Sequence, residues 1–362
     1  MRKLIGLAIL GVVAVVALVA TQIDLSILQR NLPERRDPVA LRIFYGGEKR
    51  AFLANPRVAE IVSERFAIDL DARKAGSIEM VTSLDSTGMD CLWPSNMIAV
   101  ELARKSGKPV VSAETVFNSP IVFYAWADVA DAFETAGIVR RRNDGFLAAD
   151  VAALGMLLAE GQRWRESFGL NIFGPVKVFS TDPTKSNSGN IWLGLLATIF
   201  NDGAVPDEAA LTTVLPKLED YFGRMGYMES SSGDIFASFL KQGMGARPII
   251  VGYENQMVEF LIENAQAADL IRQKIRVIYP EPTIYASHPL IALTPECRRL
   301  EEALLDPEVQ AIAWADHGFR TGLLGVENDP AALETASLPE AVSLVVPMPT
   351  AEVMTRLLEE VR

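Results

Sequence analysis

The stretch VKVFSTDPTKSNSGNIWLGLLATIF, residues 176–200, shows the chain pattern on which the predicted fold rests. Residues 176–180 alternate as in a short strand, residues 181–190 form a polar turn, and residues 191–200 carry apolar side chains at helical spacing. A strand, a turn and a helix in this order form a βα unit, whose turn lies at the carboxyl end of the strand. Helix N-termini at that edge present free N–H groups, so we interpret the turn as a candidate contact for a polar ligand.

Similar polar turns occur at residues 46–48, 94–96 and 230–233, at predicted boundaries between strands and helices. A single turn of this kind is usually no more than a helix N-cap, because Ser, Asn and Asp are common cap residues. Several such turns are distributed over two α/β blocks, the second of which begins near residue 150. This distribution favours a ligand-binding cleft between two lobes.

The other predicted elements continue the alternation of strands and helices. Further strands are predicted at residues 39–45, 67–72, 89–93, 109–113, 121–126, 248–253 and 276–279. A helix is predicted to begin at Asn55-Pro56, another spans residues 97–104, and the tail from about residue 294 is predicted to be mostly helical. The alternation predicts an α/β protein with a parallel-rich sheet, and its length is too great for one small core.

The N-terminus carries a hydrophobic targeting segment. After a short basic start, residues 4–20 are all apolar or glycine, which is about the length of a membrane-spanning helix. We predict a signal anchor, a transmembrane helix over residues 1–23, followed by a polar linker over residues 24–37. Cleavage of the segment near Ala17 or Ala20 is the alternative.

The orientation of this segment follows from its charges. Arg2 and Lys3 precede the apolar residues and favour a cytoplasmic N-terminus. The expected location is therefore the inner (cytoplasmic) membrane, spanned once, with the globular domain in the periplasm or outside the cell. No cysteine stands directly after the segment, which excludes a lipid-modified start.

Charge and cysteine content narrow the class of protein. The net charge is −12, which argues against nucleic-acid binding, because that requires clustered Lys and Arg. The two cysteines are Cys91 and Cys297. An oxidising compartment would permit a disulfide bond between them, and two free buried thiols are the alternative.

The sequence offers little for catalysis. A hydrolase needs a nucleophile, a base and an orienting group, but the only histidines, His288 and His317, have contexts typical of structural residues. There is no Gly-x-Ser-x-Gly elbow, no Walker loop and no Gly-x-Gly-x-x-Gly after a strand. Two Cys and two His at scattered positions do not make a zinc site. We therefore predict a protein that is not an enzyme and that carries no cofactor and no metal.

The order of the turns resembles that of periplasmic solute-binding proteins of the type II fold, which serve ABC transporters for oxyanions and other small solutes. The resemblance spans about residues 40–325. The segments that carry it are FYGGEKRAFLANPRV (44–58), GSIEMV (76–81), MDCLWPSN (89–96), VFNSPIVFYAW (116–126), STDPTKSNSGN (180–190), SSSGDIFASFL (230–240), PIIVGYEN (248–255), VIYPEPTIYASHPLIAL (277–293) and PEVQAIAWADHGFR (307–320). Porphobilinogen deaminase shares this fold, but neither cysteine has the basic surroundings that its cofactor-bearing cysteine needs.

The resemblance implies two α/β lobes joined by two crossover strands, with a ligand in the cleft between them. Lobe 1 would comprise residues 38–125 and 285–340, lobe 2 residues 126–284, and residues 341–362 a helical tail. The ligand-facing positions carried over from the matching turns are Gly47, Glu48, Gly76, Ser77, Ser95, Asn96, Asn118, Ser119, Asp182, Ser186, Asn187, Ser188, Ser231, Ser232, Tyr253 and Glu254.

Two departures from the family pattern bear on the ligand. The first turn has Gly-Gly-Glu where Gly-Ser-Glu is more familiar, which removes one hydroxyl group. Glu48, Asp182 and Glu254 would repel an anion if all three faced the cleft in ionised form. That arrangement would suit a cation, a polar neutral solute or a protein segment better.

The resemblance, together with the predicted signal anchor, implies a membrane-anchored extracytoplasmic solute-binding protein. Its two lobes would close over a small polar ligand, without chemistry, for an ABC-type uptake system. Its expected partners are the solute and an ABC permease or another inner-membrane protein. The alternative is a non-transporting interaction or sensing module of an envelope membrane complex that retains the same fold.

Overall fold

One long strand belongs to both β-sheets of the protein. The strands of the computed structural model are β1 (Val39–Tyr45), β2 (Ile68–Lys74), β3 (Cys91–Trp93), β4 (Ser112–Trp126), β5 (Val139–Arg141), β6 (Leu147–Asp150), β7 (Ile249–Tyr253), β8 (Ile275–Glu281), β9 (Tyr285–Ala292) and β10 (Arg320–Thr321). The first half of β4 pairs with β9 and β10, and its second half pairs with β7 and β8. The overall strand order is β2-β1-β3-β9-β4-β8-β6-β5.

The structure describes residues 36–323, 325–333, 338–342 and 344–361. From Val39 onward these residues belong to one compact unit. The predicted signal anchor over residues 1–23 and the predicted linker as far as residue 35 lie outside the described residues. Within the described ranges, no helix combines the length and the apolar character that crossing a bilayer requires.

Helices flank both sheets. They are α1 (Arg50–Leu53), α2 (Pro56–Glu60), α3 (Glu79–Thr82), α4 (Ile98–Lys105), α5 (Ala127–Thr135), α6 (Val151–Ala159), α7 (Trp164–Phe168), α8 (Asn187–Phe200), α9 (Leu211–Gly223), α10 (Ser232–Gln242), α11 (Glu254–Glu263), α12 (Ala268–Lys274), α13 (Arg298–Leu304), α14 (Pro307–Ala315) and α15 (Ala351–Glu360). The predicted helix start at Asn55-Pro56 is confirmed, since the Asn55 side chain accepts hydrogen bonds from the first N–H groups of α2.

The strand predictions were correct in part. Residues 109–113 and 121–126 were predicted as two strands, but β4 runs through the intervening residues because both of its halves find partners, each in a different sheet. Residues 176–180 form no strand. Only Phe179 bridges to β7, and Pro175, which lacks an N–H group, precedes the segment.

The sheets are also less parallel than predicted. Among the ten described strands, β1 with β2, β1 with β3, and β6 with β8 are the parallel pairs. All pairs formed by β4 are antiparallel, because β4 and the β8–β9 segment carry the chain between the two sheets in opposite directions. The tail is helical at α13, α14 and α15, but most of its described residues between α14 and α15 form neither helix nor strand.

The core follows this two-sheet plan. One apolar cluster packs beside the first sheet around Phe52, Trp93 and Phe117, and a second lies beside the other sheet around Tyr124 and Phe239. The largest cluster joins residues from both sheets with the buried face of α15. Burial of these apolar side chains stabilises the fold and ties the two halves together.

A disulfide bond joins Cys91 in β3 to Cys297, with 5.8 Å between their Cα atoms. Both cysteines are fully buried. The pairing settles the alternative that the sequence leaves open, and it ties the start of α13 to the centre of the first sheet.

Candidate functional site

A cavity of about 200 Å³ lies between the two halves of the molecule. Its wall on the side of the first sheet is formed by the turns that follow β1 and β2. Its opposite wall is formed by the N-termini of α8 and α10. The residues that line it are Gly46, Gly47, Glu48, Lys74, Ala75, Gly76, Ser77, Glu79, Ser186, Asn187, Ser230, Ser231 and Ser232.

Half of the sequence-predicted positions line this cavity. They are Gly47, Glu48, Gly76, Ser77, Ser186, Asn187, Ser231 and Ser232. They meet here because the turns after β1 and β2 and the starts of α8 and α10 converge between the sheets, although no strand directly precedes α8 or α10. Lys74 also lines the cavity, and the sequence analysis missed it because it lies at the end of a strand rather than in a polar turn.

Four predicted residues lie behind the cavity wall in a buried hydrogen-bond network. Asn96 donates to Asn187, which donates in turn to the Ser95 carbonyl oxygen and to the Tyr253 hydroxyl at 2.9 Å each. The Ser188 hydroxyl lies 2.8 Å from the Thr181 hydroxyl. These side chains fix the cavity wall rather than form its surface.

The other four predicted residues serve elsewhere. Asp182 caps its own turn by accepting hydrogen bonds from Thr184. Asn118 and Ser119 lie within β4, where Asn118 donates to the Thr321 carbonyl oxygen. Glu254 is fully buried in an ion pair with Arg320, 2.8 Å away.

Three acidic residues would repel an anion if all of them faced the cleft, and the structure does not meet that condition. Of Glu48, Asp182 and Glu254, only Glu48 lines the cavity. The other two are held by partners outside it. The cavity also meets Glu79 and Lys74, so its exposed charges are one acid and one base.

Glu48 has a buried counter-ion that sequence reasoning missed. Lys49 is completely buried, forms an ion pair with Glu48, and donates a hydrogen bond of 2.9 Å to the Ser95 hydroxyl. Its ammonium also lies 5.3 Å from the centre of the Trp93 ring. In the sequence, Lys49 is an ordinary lysine in a charged turn, and only the tertiary packing of β3 over it shows its role.

The electrostatics of this pair follow from burial and proximity. Burial alone would raise the pKa of Glu48, but Lys49 and His288 outweigh it and hold that pKa well below its usual range. Burial lowers the pKa of Lys49, and the adjacent carboxylate opposes this shift. Glu48 and Lys49 together therefore add little net charge to the cavity wall.

His288 completes the cluster as a neutral residue. Its Nδ1 atom lies 3.5 Å from Glu48 Oε1, and neither ring nitrogen has a hydrogen-bond partner among the described residues. The ring packs against Phe319 and Tyr253. Burial, reinforced by the charge of Lys49, lowers the pKa of His288 to about 4.

This lowered pKa predicts a pH-dependent stability. Because the folded-state pKa of about 4 lies below the reference value of 6.5, the unfolded chain binds more protons between these limits. Stability from neutral His288 is therefore present above pH 6.5 and is lost as the pH falls toward 4, by about 3 kcal/mol in total. Urea unfolding at several pH values should show that His288→Leu removes this part of the acid destabilisation. Parallel pH profiles for the variant and the wild type would contradict the prediction.

Two helix N-termini face the cavity. Ser186 precedes α8 and Ser231 caps α10 by accepting from the Asp234 N–H. Gly189 in the first turn of α8 packs against the Thr181 carbonyl, where a Cβ atom would lie only 2.2 Å from the oxygen. This close approach needs glycine and draws the turn onto the helix. The free N–H groups and the positive dipole ends favour negative charge in the cavity.

The two halves of the molecule touch on both sides of the cavity. Lys74 donates to the Ser231 hydroxyl at 3.2 Å, and its ammonium lies 3.8 Å from Asp234. Gly76 packs against the Lys185 carbonyl, where a Cβ atom would lie 2.4 Å from the oxygen. Together with the Asn96–Asn187 hydrogen bond, these contacts describe a closed cleft.

The described residues contain no group of three or more His, Cys, Asp or Glu side chains arranged to hold a metal ion. The candidate ligand contacts are instead hydroxyl, amide, backbone N–H and ammonium groups. This chemistry suits a polar or anionic molecule that accepts hydrogen bonds.

Comparison with solved structures identifies the fold. The substrate-binding protein of an ABC transporter from Agrobacterium tumefaciens is 13% identical over 91% of this chain and 96% of its own, with a TM-score of 0.57. The ferric binding protein from Campylobacter jejuni is 11% identical over 89% and 96%, with a TM-score of 0.57. The sulfate-binding protein SubI from Mycobacterium tuberculosis is 14% identical over 81% and 88%, with a TM-score of 0.52.

These similarities confirm the two-lobed, mixed α/β fold of type II periplasmic binding proteins. All three structural neighbours are binding proteins, and the one from Agrobacterium tumefaciens belongs to an ABC transporter. No model of a protein family and no curated protein matches the sequence.

Proposed function

We propose that this protein is an extracytoplasmic solute-binding protein that encloses a small polar ligand between its lobes and delivers it to an ABC-type uptake system. The observation that carries the proposal is the cavity between the sheets, on which two helix N-termini, the hydroxyls of Ser77 and Ser231, and the Lys74 ammonium converge. In this proposal the two lobes comprise residues 38–125 with 285–340 and residues 126–284. A signal anchor over residues 1–23 would hold them at the inner membrane.

The ligand that we propose is a small anion. A cavity of about 200 Å³ is below the range typical of pockets for drug-sized molecules, so it suits a ligand of few heavy atoms. Lys49 neutralises Glu48, and helix N-termini bind oxyanions and carboxylates through their N–H groups. The missing hydroxyl at Gly47 is offset by Lys74, whose side chain lies against that glycine.

Calorimetry of the full-length protein with sulfate, phosphate and acetate tests this proposal. Lys74→Ala is expected to weaken anion binding roughly tenfold, because it removes the only ammonium that lines the described cavity. Lys274→Ala is the control, since Lys274 is also exposed but lies at the C-terminal end of α12, outside the residues that line the cavity. Unchanged affinity in Lys74→Ala, or binding of neutral solutes only, would refute the anion assignment.

The alternative of a non-transporting interaction or sensing module has one observation in its favour. The cleft is closed by the protein's own side chains, Asn96 with Asn187 and Lys74 with Ser231. Affinity capture from membranes discriminates between the two functions. Recovery of an ABC permease supports transport, and recovery of an envelope complex without a permease supports the alternative.

A further inference from the structure

The C-terminal segment pairs with the connection between the two sheets and then contacts both lobes. We call the described residues 344–361 the C-terminal strap. Its first residues pair with Thr283, which lies between β8 and β9: the Thr283 N–H donates to the Leu344 carbonyl, and the Val346 N–H donates to the Thr283 carbonyl, both at 2.9 Å. The Thr283 hydroxyl also donates to the Ile121 carbonyl on β4. The strap thus begins where both connections between the sheets pass.

The strap then packs against the helix that forms one wall of the cavity. Met348 and Pro349 lie on Gly194 of α8, where a Cβ atom would be 2.9 Å from the Met348 Cε atom and 3.1 Å from the Pro349 Cδ atom. Since the N-terminus of α8 lines the cavity, the strap contacts a helix on which the site is built.

Helix α15 of the strap contacts helices of both lobes. It contacts α4, which connects β3 to β4 of the first sheet, and α9, which packs on α8. Ala351, Met354 and Leu357 are completely buried in these contacts, and they belong to the apolar cluster that joins the two halves. On the rim, Lys105 of α4 forms an ion pair with Glu352. Separating α4 from α9 would therefore expose apolar surface of α15.

We propose that the C-terminal strap is an interlobe latch that favours the closed arrangement of the cleft and slows the release of its ligand. Opening by rotation of the lobes requires α15 to leave either α4 or α9, while the Thr283 pairing keeps the strap at the connection. Only the part of this proposal that concerns ligand release depends on the proposed function. Its effect on the closed arrangement exists without any ligand.

Pulsed electron–electron distance measurement between spin labels tests the latch. The labels are placed through Arg73→Cys and Lys241→Cys in the full-length protein in detergent; both positions are exposed, and the native cysteines are buried in their disulfide. Without ligand, the otherwise wild-type protein is expected to show one short distance. Leu357→Ala and a chain ending at residue 343 should both add a longer distance, with a rise of roughly tenfold in the open population.

Arg356→Ala is the matched control, because Arg356 lies on the exposed face of α15. Circular dichroism establishes which variants remain folded, and Leu357→Ala decides the question if the shortened chain does not fold. An unchanged distance distribution in folded Leu357→Ala, or a wild-type protein that is already open, overturns the latch. Absence of anion binding in calorimetry would refute the proposed ligand but leave the distance result interpretable.

Discussion

Replacing Lys49 by methionine is expected to lower the free energy of unfolding by about 3–5 kcal/mol, because the substitution leaves the Glu48 carboxylate buried without its counter-ion. Both side chains are buried, and Lys49 is also the partner of the Ser95 hydroxyl. Urea unfolding at neutral pH measures the difference. Neutral pH matters because Glu48 is ionised there in the folded state.

Two further variants separate the charge effect from packing. The double variant Glu48→Gln with Lys49→Met should recover much of the lost stability, since it removes the uncompensated charge. Lys105→Met, at an exposed ion pair, should change the stability by less than about 1 kcal/mol. A double variant as unstable as Lys49→Met alone would show that packing, not the buried carboxylate, sets the loss.

Removal of the disulfide is expected to have the second large effect. In Cys91→Ala with Cys297→Ala, the free energy of unfolding should fall by about 2–5 kcal/mol, because the bond restricts an unfolded chain across 206 residues. Urea unfolding with and without a thiol reductant checks this. The reductant should lower the stability of the wild type toward that of the double variant, on which it should have no effect. Equal stability of both proteins in oxidising buffer would contradict the expectation.

Much of the fold was predictable because its local patterns agree with its tertiary structure. The alternation near β1, β2 and β3 and the turn before α8 correctly indicated strands and helices whose ends meet at one site. The continuity of β4 was not predictable, because Asn118-Ser119-Pro120 in its middle has the composition of a turn. Those residues stay extended since both halves of the strand are paired in different sheets.

The candidate site, like the fold, was predictable only in part. Gly47, Ser77, Asn187 and Ser231 were identified because they occupy polar turns that match the family pattern, although no strand directly precedes the turns of Asn187 and Ser231. The role of Lys49 was missed because it depends on the packing of β3 and on Ser95, whereas His288 was predicted to be structural and is buried against Tyr253 and Phe319. Glu254 was predicted to face the ligand because the segment PIIVGYEN resembles the family pattern, but the first turn of α11 directs its carboxylate to Arg320.

The position of β9 between β3 and β4 has a consequence for how the chain is assembled during synthesis. The first sheet draws on both ends of the sequence, whereas the strands and helices of the second lie within residues 121–281. A chain synthesised from its N-terminus can complete the second sheet first, whereas β3 of the first sheet can pair with β9 only later. Cys297 follows β9 by only a few residues. Oxidation of the two thiols to the disulfide therefore indicates that β9, the last central strand, has reached its place in the first sheet. With only two cysteines in the sequence, that event has a single possible intramolecular product.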